Sequence, residues 1–316
     1  MRIGFLGKGG SGKTSLAAAF IKFLEEQNKK VLAVDADINM HLAEALGFEN
    51  PTKSLSSNFS EIQNYLVGNR DDLGSAPLIS TTPPNTKSNF VKIDGDDFLL
   101  KKYGKKYNNT FFLAVGKYED EDIGHNCYHS KINIYEMMLH HLLDGKNDFL
   151  VADSTAGTDN LGTTLFFVYD LNIFVVEPTL KAISVYKHFK EISSKYKSNT
   201  FVVVNKIKSD SDIKFIKDNI PDEEIVGFVR ESSNLRAFEQ GDTSAMDRFV
   251  NENEDVLGEI FSLLSSSEKD WKKYLEVLKE MHIHNAQAWW NSYYGLELEK
   301  KFDDSFSYDS VLGDRK

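Results

Sequence analysis

The stretch RIGFLGKGGSGKTSLAAAFIKFLEEQ, from Arg2 to Gln27, restricts what this chain can fold into more than any other. A short apolar run, Ile3 to Leu6, stops at Gly7-Lys8-Gly9-Gly10-Ser11-Gly12-Lys13-Thr14, and Leu16, Phe20, Phe23 and Leu24 then fall on one helical stripe. Strand, glycine turn and helix in that order put backbone N–H groups, unobstructed by side chains, at the positive end of a helix, an arrangement that wraps a polyphosphate. Gly7 to Thr14 fits the pattern G-x-x-x-x-G-K-[ST]. Gly9, Gly10, Ser11, Gly12 and Ser15 then form the cradle, Lys13 sets a point charge on the β- and γ-phosphates, and the Thr14 hydroxyl serves Mg²⁺. The plainer alternative is a glycine turn with two solvated lysines; the strand before it and the helix after it argue against that.

Lys8 ahead of Gly9-Gly10 makes the segment KGGSGKT. It resembles the deviant P-loop of the dimeric ATPases that include the nitrogenase iron protein, MinD and ParA, the arsenite and tail-anchored-protein ATPases, and the CooC-type metallochaperones. The resemblance implies that the ligand is ATP, that Lys8 reaches the nucleotide held by the other subunit, and that a homodimer forms in a nucleotide-dependent way.

Further stretches extend the resemblance. VLAVDAD reads as a buried strand ending at Asp35-Ala36-Asp37, and with INMHLAEALG it is similar to the family's DADPNxNLAEALG. By that likeness Asp37 orients the attacking water and Asp35 stands nearer the outer shell of the metal; the alternative is that these carboxylates cap the next helix. In NDFLVADSTAGTDNLGTT a strand ends at Asp153, placed to meet Mg²⁺ through a water, and Gly157 offers its N–H to the γ-phosphate. Asp153, Ala156, Gly157, Leu161 and Gly162 match the family's D-x-x-AG-x-x-x-LG. LNIFVVEPT and TFVVVNK add two strands; the likeness makes Asn205 a purine contact, and Lys208, where guanine-specific relatives carry aspartate, favours adenine. EEIVGFVR adds another strand, and a helix from about Ala245 to Leu264 closes the core.

The run TFFLAVGKYEDEDIGHNCYHSKINIYEMMLHHLL reads as a strand, Thr110 to Val115, and a helix, Ile132 to Leu143. It resembles the CooC-type pattern of a strand ending in VGK, then G-C-x-C, then a helix, in which two subunits present their cysteines at the dimer interface. Here the residues are Gly124-His125-Asn126-Cys127. Imidazole and thiolate suit Ni²⁺ or Zn²⁺, so His125 and Cys127 from two copies would complete a four-coordinate site, with His129 in reserve. Otherwise Cys127 is a small buried hydrophobe.

Acidic side chains outnumber basic ones, 48 to 37, for a formal charge of −11, which disfavours nucleic acid and anionic membrane as partners. With a single cysteine, Cys127, no intrachain disulfide forms. The chain opens on a strand and contains no apolar run of membrane-spanning length, which predicts a cytoplasmic protein. The expected fold is α/β, a doubly wound, mainly parallel sheet flanked by helices. It spans 1–265 with an irregular elaboration at about 49–110, in which Glu61–Val67 and Asp97–Lys102 are short ordered pieces. Residues 266–316 form a helical aromatic arm and a polar, mobile tail. Trp271, Leu275, Leu278 and Met281 or His282 share a helical face, while Trp289, Trp290, Tyr293 and Tyr294 either fold onto the core or dock a client. The output is either metal insertion into a client enzyme, as in CooC-type proteins, or a metal-free positioning or assembly switch of the ParA/MinD kind.

Overall fold

Apolar runs such as Ile3–Leu6 and Val31–Val34 have no polar side, so strands made from them must be covered on both faces. In the computed structural model, which describes residues 1–49, 51, 53–124, 128–196 and 198–313, they lie inside an eight-stranded sheet. The strands are β1 (Arg2–Gly7), β2 (Lys30–Asp35), β3 (Lys105–Tyr107), β4 (Thr110–Ala114), β5 (Asp148–Ala156), β6 (Leu171–Val176), β7 (Thr200–Ile207) and β8 (Ile225–Arg230). Their order is β3-β4-β2-β5-β1-β6-β7-β8, parallel throughout except for the β3–β4 pair at one edge. The connections run to one side of β1 first and to the other side afterwards, so the crevice where the winding reverses opens at the carboxyl end of β1.

Side chains alternate along each strand. Val31 and Ala33 of β2 meet α1 (Lys13–Glu26), whereas Leu32 and Val34 join the opposite cluster. After α1 come α2 (Leu42–Leu46), α3 (Phe59–Val67), α4 (Phe98–Tyr103), α5 (Tyr128–His140), α6 (Leu165–Val168), α7 (Leu180–Ser193), α8 (Asp210–Lys217), α9 (Ser233–Glu239), α10 (Ala245–Glu252), α11 (Glu254–Ser266) and α12 (Trp271–Asn285). α1, α10 and α11 cover one face, α5 and α12 the other, and α7 and α8 cover β6 and β7.

Three segments differ from their sequence expectation. α5 ends at His140 instead of Leu143 because the backbone of 141–143 pairs with Val91, whose N–H and C=O bond the His141 carbonyl and the Leu143 N–H at 2.9 Å each. The single helix expected from Ala245 to Leu264 breaks at Asn253, whose side chain donates to the Phe249 carbonyl at 2.8 Å. The tail is not a loose polar strand: Phe306, Tyr308 and Leu312 are buried, and the Tyr308 hydroxyl donates to the His140 carbonyl at 2.7 Å.

The arm is fastened by charge as well as by rings. Arg2, fully buried, donates to Asp144 at 2.8 Å and to the Leu142 carbonyl at 2.7 Å, and lies 5.5 Å from the ring centres of Trp271 and Tyr274. Lys269 also pairs with Asp144, at 2.7 Å. Burial alone would raise the Asp144 carboxyl, but Arg2 and Lys269 hold it well below the usual carboxylate range. Further along, Trp289 and Tyr293 are 74% and 75% exposed, so the two halves of the arm's aromatic content have opposite fates.

His140, His141 and His282 are fully buried at this joint. Desolvation keeps each imidazole neutral: His140 lies well below the ordinary histidine range, and His141 and His282 are pushed down to about 4. The unfolded chain takes up these protons near 6.5, so the folded state binds fewer protons below that pH and loses stability as the pH falls toward 4. All three tryptophans, Trp271, Trp289 and Trp290, belong to the arm and report on it. Over the same interval the raised carboxyls of Asp35 and Asp153 gain stability on protonation, so the histidine contribution is read as a difference. Between about pH 7 and about pH 4.5 the change in urea stability, followed by tryptophan emission, is expected to be less unfavourable in His282→Gln than in the wild type, by on the order of 2 kcal/mol. An identical pH dependence in the variant would contradict the requirement that this ring stay neutral.

Candidate functional site

The crevice at the end of β1 is shaped by glycines where nothing larger fits. Gly12 has φ +94°, and a Cβ there would sit 2.2 Å from Asn205 Nδ2. The turn therefore folds tightly over the end of β7. Asn205 donates to the Ser11 carbonyl at 2.8 Å, and Lys206, itself at φ +62°, donates to the Gly10 carbonyl at 2.5 Å and pairs with Glu177 at 2.7 Å. A trans peptide points its N–H opposite to its C=O, so fixing the Ser11 carbonyl against β7 turns the Gly12 N–H away from it.

Asp35 and Asp153 are register partners on β2 and β5, and both are fully buried. Burial, then the Asp153 charge, pushes the Asp35 carboxyl up to about 8; burial, reinforced by Asp37, pushes Asp153 up to about 7. Both Asp35 oxygens are engaged, accepting the N–H groups of Asp37 at 3.3 Å and Leu42 at 2.9 Å, so this residue sets the turn that carries Asp37 and starts α2. Asp153 accepts from the Thr14 hydroxyl at 2.6 Å.

Asp37 pairs with Lys13 at 2.6 Å and accepts from the Asn39 backbone and side chain at 2.9 Å each. Burial opposes its ionisation, yet Lys13 and these donors hold its carboxyl below the usual range. Lys13 is raised in turn: burial would lower it, but the charges of Asp153 and Asp37 outweigh that.

A cavity of about 600 Å³ covers this group, a volume in the range of small-ligand sites. It reaches from Asp37, after β2, past the glycine turn to Leu235 and Phe238 of α9, after β8. Since β2 and β8 lie on opposite sides of β1, the cavity runs across the sheet end. Four buried polar atoms around it have no hydrogen-bond partner among the described residues: Ser11 Oγ, Asp153 Oδ1, Thr155 Oγ1 and Tyr128 Oη. Buried polar atoms normally are paired, and the cost of leaving several unpaired marks a place built for a ligand. Thr14 Oγ1 and the Asp153 carboxylate are hard oxygen donors, the set that suits Mg²⁺ with its waters.

The sequence-expected residues divide as follows. Gly9, Gly10, Gly12, Lys13, Thr14, Ser15 and Asp37 line the cavity. Asp35 and Asp153 lie directly beneath it, joined to it through Asp37 and Thr14. Gly157, at φ +56°, opens the turn Gly157–Gly162. Asn205 sits behind the loop with its amide committed to Ser11 and to the Lys206 N–H, and Lys206 takes the place on the cavity wall. Lys8 is half-buried and its side chain has no ion pair among the described residues. His125 and Cys127 lie outside the described residues, and among the described ones no group of three or more His, Cys, Asp or Glu side chains is arranged to hold a metal. Tyr128, Thr155, Asp159 and Phe238 also line the cavity and were not singled out in the sequence. Phe238 lies in the stretch ESSNLRAFEQGD that follows the last strand and, by its likeness to the family's terminal pattern, is expected beside the base; Tyr128 carries no such signal.

Residues 5–244 match the CobQ/CobB/MinD/ParA nucleotide-binding domain. An uncharacterized ATP-binding protein of Methanocaldococcus jannaschii is 30% identical over 234 residues, 72% of this chain and 84% of that protein. The carbon monoxide dehydrogenase accessory protein CooC of Rhodospirillum rubrum is 23% identical over 248 residues, 78% of this chain and 90% of its own length. Among solved structures, the septum site-determining protein MinD with Mg-ADP from Pyrococcus horikoshii OT3 aligns over 85% of this chain and 98% of its own, with a TM-score of 0.51 at 17% identity. The overall fold is thus shared with that protein.

Burying the Asp35 and Asp153 carboxyls together is costly unless a cation joins them. Asp153→Asn is therefore expected to raise the melting temperature of the nucleotide-free protein by a few degrees, a gain on the order of 1 kcal/mol, and to abolish any added stabilisation by magnesium with nucleotide. A drop in the free protein's melting temperature would show instead that the carboxylate is needed for packing.

Proposed function

The chain belongs to the CobQ/CobB/MinD/ParA family of nucleotide-binding proteins, and from that membership we propose that it is a Mg²⁺-dependent switch ATPase whose two protomers close over ATP and hydrolyse it slowly. One observation carries this reading: Lys13, Thr14 and Asp37 line one cavity beside a glycine turn, with Asp153 held under it by the Thr14 hydroxyl, and Lys13 is paired with Asp37 at 2.6 Å. An arriving triphosphate competes with Asp37 for Lys13. Lys13 moves onto the β- and γ-phosphate oxygens, and the released Asp37 carboxylate is then free to orient a water for in-line attack on the γ-phosphorus. Lys8 of the partner protomer adds a second positive charge where negative charge accumulates.

Bound Mg²⁺ would neutralise phosphate charge, held by the Thr14 hydroxyl and, through water, by Asp153, with Asp35 behind it. Asn205 holds the carbonyl side of the loop in place throughout, and the Gly157 N–H faces the γ-phosphate and relaxes when it leaves. ATP is favoured over GTP by Lys208 and by the ATP-binding relative. Residues 1–265 form the ATPase unit, and 266–316 form an arm that packs on it through residues such as Tyr274, Leu278, Phe306, Tyr308 and Leu312. No helix among the described residues is long and apolar enough to cross a membrane, and the charge of −11 is unfavourable for nucleic acid; we place the protein in the cytoplasm.

For the output of the switch we favour assistance to metal insertion into a client enzyme. The CooC relative covers 78% of this chain, and His125 and Cys127 supply an imidazole and a thiolate where CooC-type proteins carry two cysteines. A positioning or assembly switch without metal is the alternative. Elemental analysis after Ni²⁺ or Zn²⁺ titration separates them: about one metal per dimer, lost in the His125→Ala, Cys127→Ser variant, is expected for metal delivery. Full binding by that variant would remove the reason for placing the metal there.

Lys13→Ala is expected to abolish ATP binding in calorimetry. Asp37→Ala should keep it, tightened about threefold to tenfold because Lys13 no longer has to leave a partner, while turnover falls by roughly a hundredfold or more and the ATP-bound dimer persists in light scattering. Undiminished turnover in the Asp37 variant would move the water-orienting role to another residue.

A further inference from the structure

The buried tyrosine hydroxyls of this protein divide into two kinds. Tyr135 and Tyr169 bond each other at 3.2 Å, and Tyr274 and Tyr308 bond the Nδ1 atom and the carbonyl of His140 at 2.7 Å each. Tyr128 does neither: the residue is 9% exposed, and its Oη is fully buried with no partner among the described residues. Tyr103 shares that condition but lies away from the nucleotide cavity, whereas Tyr128 lines it. Leaving a buried hydroxyl unpaired is costly, and here the cost falls where an anionic ligand would arrive.

The surroundings narrow what that ligand group is. Asp35, Asp37 and Asp153 all lie close enough to act on the phenol electrostatically, yet it hydrogen-bonds none of them. Asp35 ends β2, Asp37 follows it and Asp153 lies on the neighbouring β5, so Tyr128 stands on the Asp37 side of the cavity, across from Leu235 and Phe238. Lys13 shares that side, and with it the phosphate end of a bound nucleotide. A terminal phosphate brought toward three carboxyl groups needs donors of its own, and at neutral pH a phenol is one.

We propose that the Tyr128 hydroxyl donates a hydrogen bond to the terminal phosphate of a bound nucleoside triphosphate and thereby separates triphosphate from diphosphate. This rests on the nucleotide-binding reading above. Tyr128 is the first residue of α5 and follows Cys127 directly, so the contact ties the terminal phosphate to the chain segment that carries His125 and Cys127.

Tyr128→Phe removes the hydroxyl and keeps the ring. Calorimetry with Mg²⁺ and a non-hydrolysable ATP analogue, and separately with ADP, is expected to show the analogue weakened roughly tenfold and ADP unchanged, the loss of one hydrogen bond to a charged group. Equal weakening of both ligands would assign Tyr128 to packing or to a part of the nucleotide that ADP shares, and no change in either would show that the hydroxyl makes no contact; each overturns the proposal. Wild-type protein that binds ADP without discriminating against it overturns this proposal alone, while failure to bind either ligand overturns the nucleotide reading beneath it.

Discussion

The ion pair between Lys13 and Asp37, 2.6 Å long and almost closed to solvent, is the interaction on which the site turns. Neither group can be left alone there, because an unpaired charge in a buried position costs several kcal/mol. In the free protein each satisfies the other. In the mechanism proposed above, a phosphate that draws Lys13 away frees Asp37, so this one lysine would couple occupancy of the cavity to the state of the carboxylate.

Around that pair the electrostatics are deliberately unbalanced. Asp35, the last residue of β2, and Asp153, near the end of β5, are register partners on adjacent parallel strands, and burial, with the neighbouring carboxylates, raises their carboxyls to about 8 and about 7. Asp35 is nevertheless structural, since two backbone N–H groups use it as their acceptor and the course of the chain from Asp37 to α2 depends on them. Asp153 keeps one oxygen without a partner among the described residues. One carboxyl shapes the loop and the other keeps that oxygen free beneath the cavity, although in the sequence both read as aspartates that close a buried strand.

Local signals carried most of the fold and the heart of the site. The apolar runs of β1, β2 and β5 mark buried parallel strands, and the glycine spacing marks the turn, because each depends on residues that are neighbours in sequence. What was not legible depends on distant partners. Asn205 reads as a purine contact; that its amide also ties down the Ser11 carbonyl, nearly two hundred residues earlier, at 2.8 Å, is visible only in the fold. The helix break at Asn253 needs a side-chain bond that no periodicity contains. The tail reads as polar because its aromatic residues are spread among aspartates and serines; it is ordered by surfaces of α5 and α12 that composition cannot show. Tyr128 gives no pattern at all, since its significance is the absence of a bond among the described residues.

Aromatic packing alone could fasten the arm, yet Arg2, Asp144 and Lys269 are brought together at its base. Replacing such clusters with apolar residues is often neutral or stabilising, so their contribution is better sought in specificity. Apolar rings tolerate sliding, whereas a guanidinium shared between Asp144, the Leu142 carbonyl and the Tyr274 hydroxyl accepts one placement of α12. That placement also brings Tyr274 to His140, whose other nitrogen bonds Thr164, two residues past the turn that begins at Gly157. Glu136, one helical turn earlier on α5, holds the same threonine through its backbone and its hydroxyl. The register of the arm and the position of the segment after that turn are therefore set by one run of buried polar bonds along α5, and a displacement of either end must break bonds that have no water to replace them.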